Sequence, residues 1–118
     1  MKVYFLDTKG VNYVKRVTTN TTNKAYSSTS LKHDLKQLEY VMNNFNIEDI
    51  KKYYKSEWEL EKATDGMSRT DGALIFDDER ENIFIETETQ HYTEDMKNAK
   101  KAYAKAHGGI YKANKVRI

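Results

Sequence analysis

Apolar residues recur along this chain in two rhythms. Leu31, Leu35, Leu38, Met42 and Phe45 return every three or four positions, the stripe of a helix ending near Asn46, with an N-cap available at Thr29 or Ser30. Met96, Ala99, Ala102, Tyr103 and Ala106 repeat that spacing in a second helix from Glu94 to about His107, opened by Thr93 and closed by Gly108-Gly109. Between them the rhythm shortens. Ala73 to Phe76 and Ile83 to Ile85 are short apolar runs on either side of the charged Asp77-Asp78-Glu79-Arg80, which predicts an antiparallel hairpin around which the chain is organised. Lys51 to Lys55, with Tyr53 and Tyr54, reads as another strand. Ser56 to Glu61 reads as its continuation or as one helical turn, with the sole tryptophan, Trp58, packed inside. Ile110 to Ile118 reads as the last strand.

Ahead of the first helix, Lys2 to Asp7 reads as a strand and Thr8-Lys9-Gly10 as its turn or a helix cap. Val11 to Val17 fits a second strand or a short helix, and its β-branched content favours the strand. Thr18 to Ser30 is almost wholly polar and reads as a surface loop. The expected architecture is a single α+β domain over residues 1–118. An N-terminal β extension and loop fill 1–30, and a small mixed sheet flanked by two helices fills 31–118, in the order helix, strand, strand, strand, helix, strand. The 118 residues suffice for a modest core without staples.

The hairpin also carries the chemistry. Period two places Phe84, Glu86, Glu88 and Gln90 on one face of its second strand, and Asp71 stands at the start of the first. Asp71, Glu86 and Glu88 therefore converge at one end, and carboxylates that close raise each other's pKa unless a metal or a basic neighbour sits among them. Glu39, on the shoulder of the first helix's stripe, either reaches into that site or is solvated. The net charge of +2 hides a division: +5 over residues 1–55, −10 over 56–95 and +7 over 96–118. These blocks either neutralise one another or set a basic rim, with Lys97, Lys100, Lys101 and Lys105 on one helical arc, around an acidic pocket suited to a phosphate backbone.

Other chemistries are excluded by what the sequence lacks. Without cysteine there is no disulfide framework and no thiolate metal site. No Walker-type glycine loop, His-rich zinc pattern or Ser nucleophile elbow occurs, which argues against nucleotide hydrolysis, zinc hydrolysis and acyl transfer. Nothing resembles a signal peptide or a membrane span, so the chain reads as cytoplasmic.

The element order, with Asp71 opening one strand and Glu86-Thr87-Glu88 on the next, resembles the PD-(D/E)XK nuclease-like fold. The run from Leu31-Lys-His33-Asp-Leu35 through Lys55-Ser-Glu57-Trp58 and Arg69-Thr-Asp71-Gly-Ala73 to Phe84-Ile-Glu86-Thr-Glu88 is similar to the replication-relaxation family of plasmid and mobile-element proteins. In that family a winged-helix segment precedes the nuclease-like domain, and Val3 to Gly10 resembles the end of its wing. Two positions depart from the nuclease motif: Glu88 stands where its lysine belongs, and Thr70 where its proline belongs.

The resemblance implies a DNA-binding protein of a plasmid, phage or other mobile element. It implies Asp71, Glu86 and the Thr87 carbonyl as ligands of Mg²⁺ or Mn²⁺, with Glu88 as base or second ligand and Glu39 completing the shell. Lys97, Lys100, Lys101 and Lys105 would follow the phosphates, and His33 or His91 are alternative proton carriers. Cleavage would be that of a metal-dependent endonuclease or nickase. A non-catalytic alternative is an accessory factor of a replication or transfer complex, or a phage-encoded inhibitor docking through the acidic hairpin on a nucleic-acid enzyme. A purely structural module would show no converging carboxylates.

Overall fold

Seven-residue β3 (Asn82–Glu88) is the axis of the architecture, hydrogen-bonded on both sides and covered on both faces. The computed structural model describes residues 28–118; the expected N-terminal strands, the wing-like phrase and most of the polar loop lie outside these residues. The described elements are α1 (Ser28–Asn44), α2 (Ile47–Tyr53), β1 (Tyr54–Ser56), a 3-10 turn over Glu57–Glu59, β2 (Gly72–Leu74), β3, α3 (Glu94–Ala106) and β4 (Gly109–Lys115). Among the described residues the fold is α+β, a four-stranded mixed sheet with three helices. Strand order is β1-β2-β3-β4. The first two pairings are antiparallel, and the last, formed after α3 crosses over, is parallel.

The expected hairpin forms, with Ala73 opposite Phe84 and Leu74 opposite Ile83. Period two then separates two cores. Val41, Ile50, Tyr53, Tyr54, Leu74 and Ile85 pack together on the face under α1 and α2. Leu60, Ala73, Phe84, Tyr103 and Ala104 pack on the face under α3, with Phe84 and Tyr103 edge to face at 5.6 Å. Gly72 is required because the Tyr54 ring lies where a Cβ would point.

Four local readings are corrected. Lys51–Tyr53 belongs to a helix: Asn46 caps α2 by accepting from the Glu48 and Asp49 amides, and acids early with lysines late suit the helix dipole. Only Tyr54 to Ser56 remains strand. α1 starts at Ser28, so Thr29 and Ser30 lie inside it instead of capping it. Trp58 is not packed; it is 59% exposed. Both long helices are rotated from their apolar stripes: Leu31 and Met96 are exposed while Gln37 is fully buried, because the end of the central strands beneath is polar and is met by polar side chains.

Candidate functional site

β2 and β3 bring Asp71, Glu86 and Glu88 to one end of the sheet, and all three are withdrawn from solvent. The Asp71 amide donates to Glu86 Oε1 at 2.8 Å, and the Thr87 amide donates to Asp71 Oδ2 at 2.8 Å. Backbone pairing of the two strands thus continues through the acidic side chains. Glu86 is fully buried and Glu88 is 4% exposed. Charges so placed need partners.

Each carboxylate has its own basic partner, delivered by a helix. His33, on α1, puts Nε2 3.2 Å from Asp71 Oδ2 and 3.0 Å from the Thr87 carbonyl, while its Nδ1 stands 3.3 Å from Asp34 Oδ1. Lys100, on α3, reaches Glu86 Oε2 at 3.3 Å and donates to the Arg69 carbonyl at 2.8 Å. Lys97, one turn earlier, lies 3.9 Å from Glu88 Oε1. Two tyrosines complete the shell: Tyr92 donates to Glu86, and Tyr111 donates to Glu88 Oε2 at 2.5 Å. Behind the strand, Gln37 donates to the Ile85 carbonyl at 3.2 Å and accepts from the Thr87 hydroxyl at 2.7 Å. Among the described residues no buried side-chain polar atom is left unsatisfied.

Protonation follows from this crowding. Burial, then the charge of Asp71, pushes Glu86 up to about 7, against the opposing pull of Lys100 and of the hydrogen bonds from Tyr92 and the Asp71 amide. Asp34 is pushed up to about 7 by burial and by the charges of Asp71 and Glu57. Glu57 is raised by burial and by the charge of Asp71. His33 is raised chiefly by its hydrogen bond to Asp71. Tyr92 is raised by burial and by the adjacent Glu86. Glu86 and Asp34 therefore exchange their protons around neutrality instead of near the ordinary carboxylate range.

The expected residues are only partly brought together. Asp71, Glu86, Thr87 and Glu88 meet; Glu39 does not, being well exposed on another face of α1 and 3.8 Å from Lys36. The lysine arc divides: Lys97 and Lys100 turn inward to carboxylates, and Lys101 and Lys105 stay exposed. His91 is exposed, outside the cluster. Sequence reading overlooked Asp34, Glu57 and Tyr92 and took Lys100 for a phosphate contact. Only the spacing of His33 and Gln37, one helical turn apart, and of Lys97 and Lys100, three apart, hinted at inward polar faces.

A divalent cation does not fit this donor set as it stands. Asp71 and the Thr87 carbonyl do converge on a single point, and that point is the His33 Nε2. Glu86 is turned elsewhere, its oxygens committed to the Asp71 amide, Lys100 and Tyr92. Among the described residues no group of three His, Cys, Asp or Glu is arranged to hold a metal ion.

Comparison with protein-family models, curated proteins and solved structures gives no match. The site is therefore read from its own geometry. Among the described residues no helix is long and apolar enough to cross a membrane.

Proposed function

We propose that this chain is a nucleic-acid-binding protein of a mobile element, similar to the replication-relaxation proteins, built on a PD-(D/E)XK-like core whose hydrolytic site is degenerate. The supporting features are the strand order, Asp71 at the edge of β2 and Glu86-Thr87-Glu88 on the neighbouring strand. The observation that carries the degenerate reading is the imidazole of His33 lodged between Asp71 and the Thr87 carbonyl, the two donors that would otherwise share a Mg²⁺ or Mn²⁺. A protonated imidazole there supplies the positive charge that a cation would supply. The inhibitor alternative is disfavoured because the converging carboxylates are buried between helices instead of displayed on a convex face.

Cleavage is the second reading, and one observation favours it. The linear motif lacks its lysine, yet Lys100 comes from α3 to within 3.3 Å of Glu86, so a buried ammonium stands beside the two acidic strands after all. Fluorescence anisotropy with labelled oligonucleotides, beside a plasmid nicking assay in Mg²⁺ and Mn²⁺, separates the two. The degenerate reading expects binding that weakens steeply with salt and no nicking above background. Nicking that disappears in Asp71→Asn would replace it with the enzyme.

A further inference from the structure

We propose that Trp58 and Arg69 form a stacking subsite for an unpaired nucleobase at the rim of the carboxylate–lysine cluster, an inference that rests on the nucleic-acid reading above and specifies its substrate class. Trp58 is 59% exposed although it is the largest apolar side chain in the protein. It is held, not loose. The 3-10 turn that carries it is pinned at one end by the Ser56 amide donating to Glu59 at 2.9 Å, and at the other by Leu60, which is buried and donates to the Glu57 carbonyl at 3.2 Å. The turn is also tied to the site itself, since the Glu57 amide donates to the Asp71 carbonyl at 3.0 Å.

The guanidinium of Arg69 lies over the indole, 5.6 Å from the ring centre, and the Arg69 carbonyl accepts from Lys100. Trp58 directly follows Glu57 and Arg69 stands two residues before Asp71, so ring and guanidinium belong to the two segments that the Glu57–Asp71 backbone hydrogen bond joins. An indole that stays 59% exposed with a guanidinium over one side offers what one nucleotide needs: a remaining π surface for the base and a neighbouring cation for its phosphate. Within a duplex the faces of the bases are stacked on one another and unavailable, so the subsite selects single strands or splayed bases. The acidic surroundings, Glu57 and Glu59 among them, repel a polyanion except where Arg69 offsets them. One base at one place is the expected footprint.

Because Trp58 is the sole tryptophan, its emission reports this subsite alone. The test titrates the full chain with an unlabelled single-stranded oligonucleotide and with the corresponding duplex, reading tryptophan fluorescence, while anisotropy of labelled copies reads total binding. The single strand is expected to quench Trp58, and Trp58→Ala to weaken its binding about tenfold or more, the size of one lost base stack. Trp58→Phe keeps a ring and is expected to recover most of the affinity, and Arg69→Ala to weaken binding with Trp58 retained. Trp58 is exposed, so circular dichroism of its variants should match the parent. Binding without quenching, and with Trp58→Ala unchanged, overturns the subsite and leaves the DNA-binding reading standing. Absence of binding to either oligonucleotide overturns both. Quenching by an arginine-rich peptide and not by either oligonucleotide overturns the subsite in favour of a protein partner.

Discussion

His33 Nε2 is 3.2 Å from Asp71 Oδ2, which ties the first turns of α1 to the edge of β2 across a large separation in sequence. The same nitrogen faces the Thr87 carbonyl at 3.0 Å, so one imidazole occupies the convergence point of two oxygen donors. Replacing it by Ala is expected to destabilise the protein by about 1–3 kcal/mol, because Asp71 loses its charged partner. It also frees the two donors. Thermal unfolding of His33→Ala should then respond to Mn²⁺ with a rise in Tm through preferential binding to the native state, whereas the parent should not. A parent Tm that rises with Mn²⁺ would show that the ion displaces the imidazole unaided.

Stability should fall as pH rises from about 5 to 8. The folded chain keeps a proton on Glu86 up to about 7, while the unfolded chain releases it near 4.5, so the native state binds more protons in that window and loses its advantage on leaving it. Asp34, raised from 3.8 to about 7, acts in the same direction. His33, raised above 6.5, adds a loss as pH passes through its folded value. For Glu86 alone the upper bound is about 3 kcal/mol, at about 1.4 kcal/mol per pKa unit. Glu86→Gln should be close to parental stability at pH 5 and more stable than the parent at pH 8. Denaturant titrations at both pH values check it; parallel slopes for parent and variant would dismiss the linkage.

Lys100→Met should show the reverse pattern. Removing the ammonium leaves an ionised Glu86 buried without its cation at pH 8, where the cost should reach about 3–5 kcal/mol. At pH 5 Glu86 is protonated, and the main loss is the donor to the Arg69 carbonyl, about 1 kcal/mol. Adding Glu86→Gln to Lys100→Met should restore most of the difference at pH 8. A double variant no better than Lys100→Met would mean that the lysine stabilises through its aliphatic stem and the Arg69 carbonyl instead of through charge.

The two halves of the lysine arc should separate in DNA binding. Lys101→Glu with Lys105→Glu removes exposed charge only and should weaken binding and reduce its salt dependence without changing Tm by more than a few degrees. Lys97→Glu with Lys100→Glu places acids against Glu88 and Glu86 and should lower Tm strongly. Anisotropy across a salt series and a thermal melt of each pair suffice. Equal melts for the two pairs would contradict the inward assignment of Lys97 and Lys100.

Much of the scaffold was legible because it rests on local rules. The hairpin follows from the short apolar runs around Asp77 to Arg80, and α3 from Thr93 as cap and Gly108 as stop. The meeting of Asp71 with Glu86 and Glu88 follows from that hairpin. Lys51–Tyr53 was misread because its β-favouring tyrosines concealed a helix set by the Asn46 cap, and Trp58 because a large ring is usually buried.

What the sequence determined by itself was therefore the order of elements and the gathering of acids, since both depend on neighbours in the chain or across a tight hairpin. Tertiary structure decided what neutralises those acids. The rotation of α1 and α3 about their axes is fixed by what the end of the central strands demands, and buried carboxylates demand basic partners more strongly than Leu31 or Met96 demand burial. A stripe of apolar residues cannot show that preference, because the charges that set it lie on other elements of the chain and become neighbours only when the layers close.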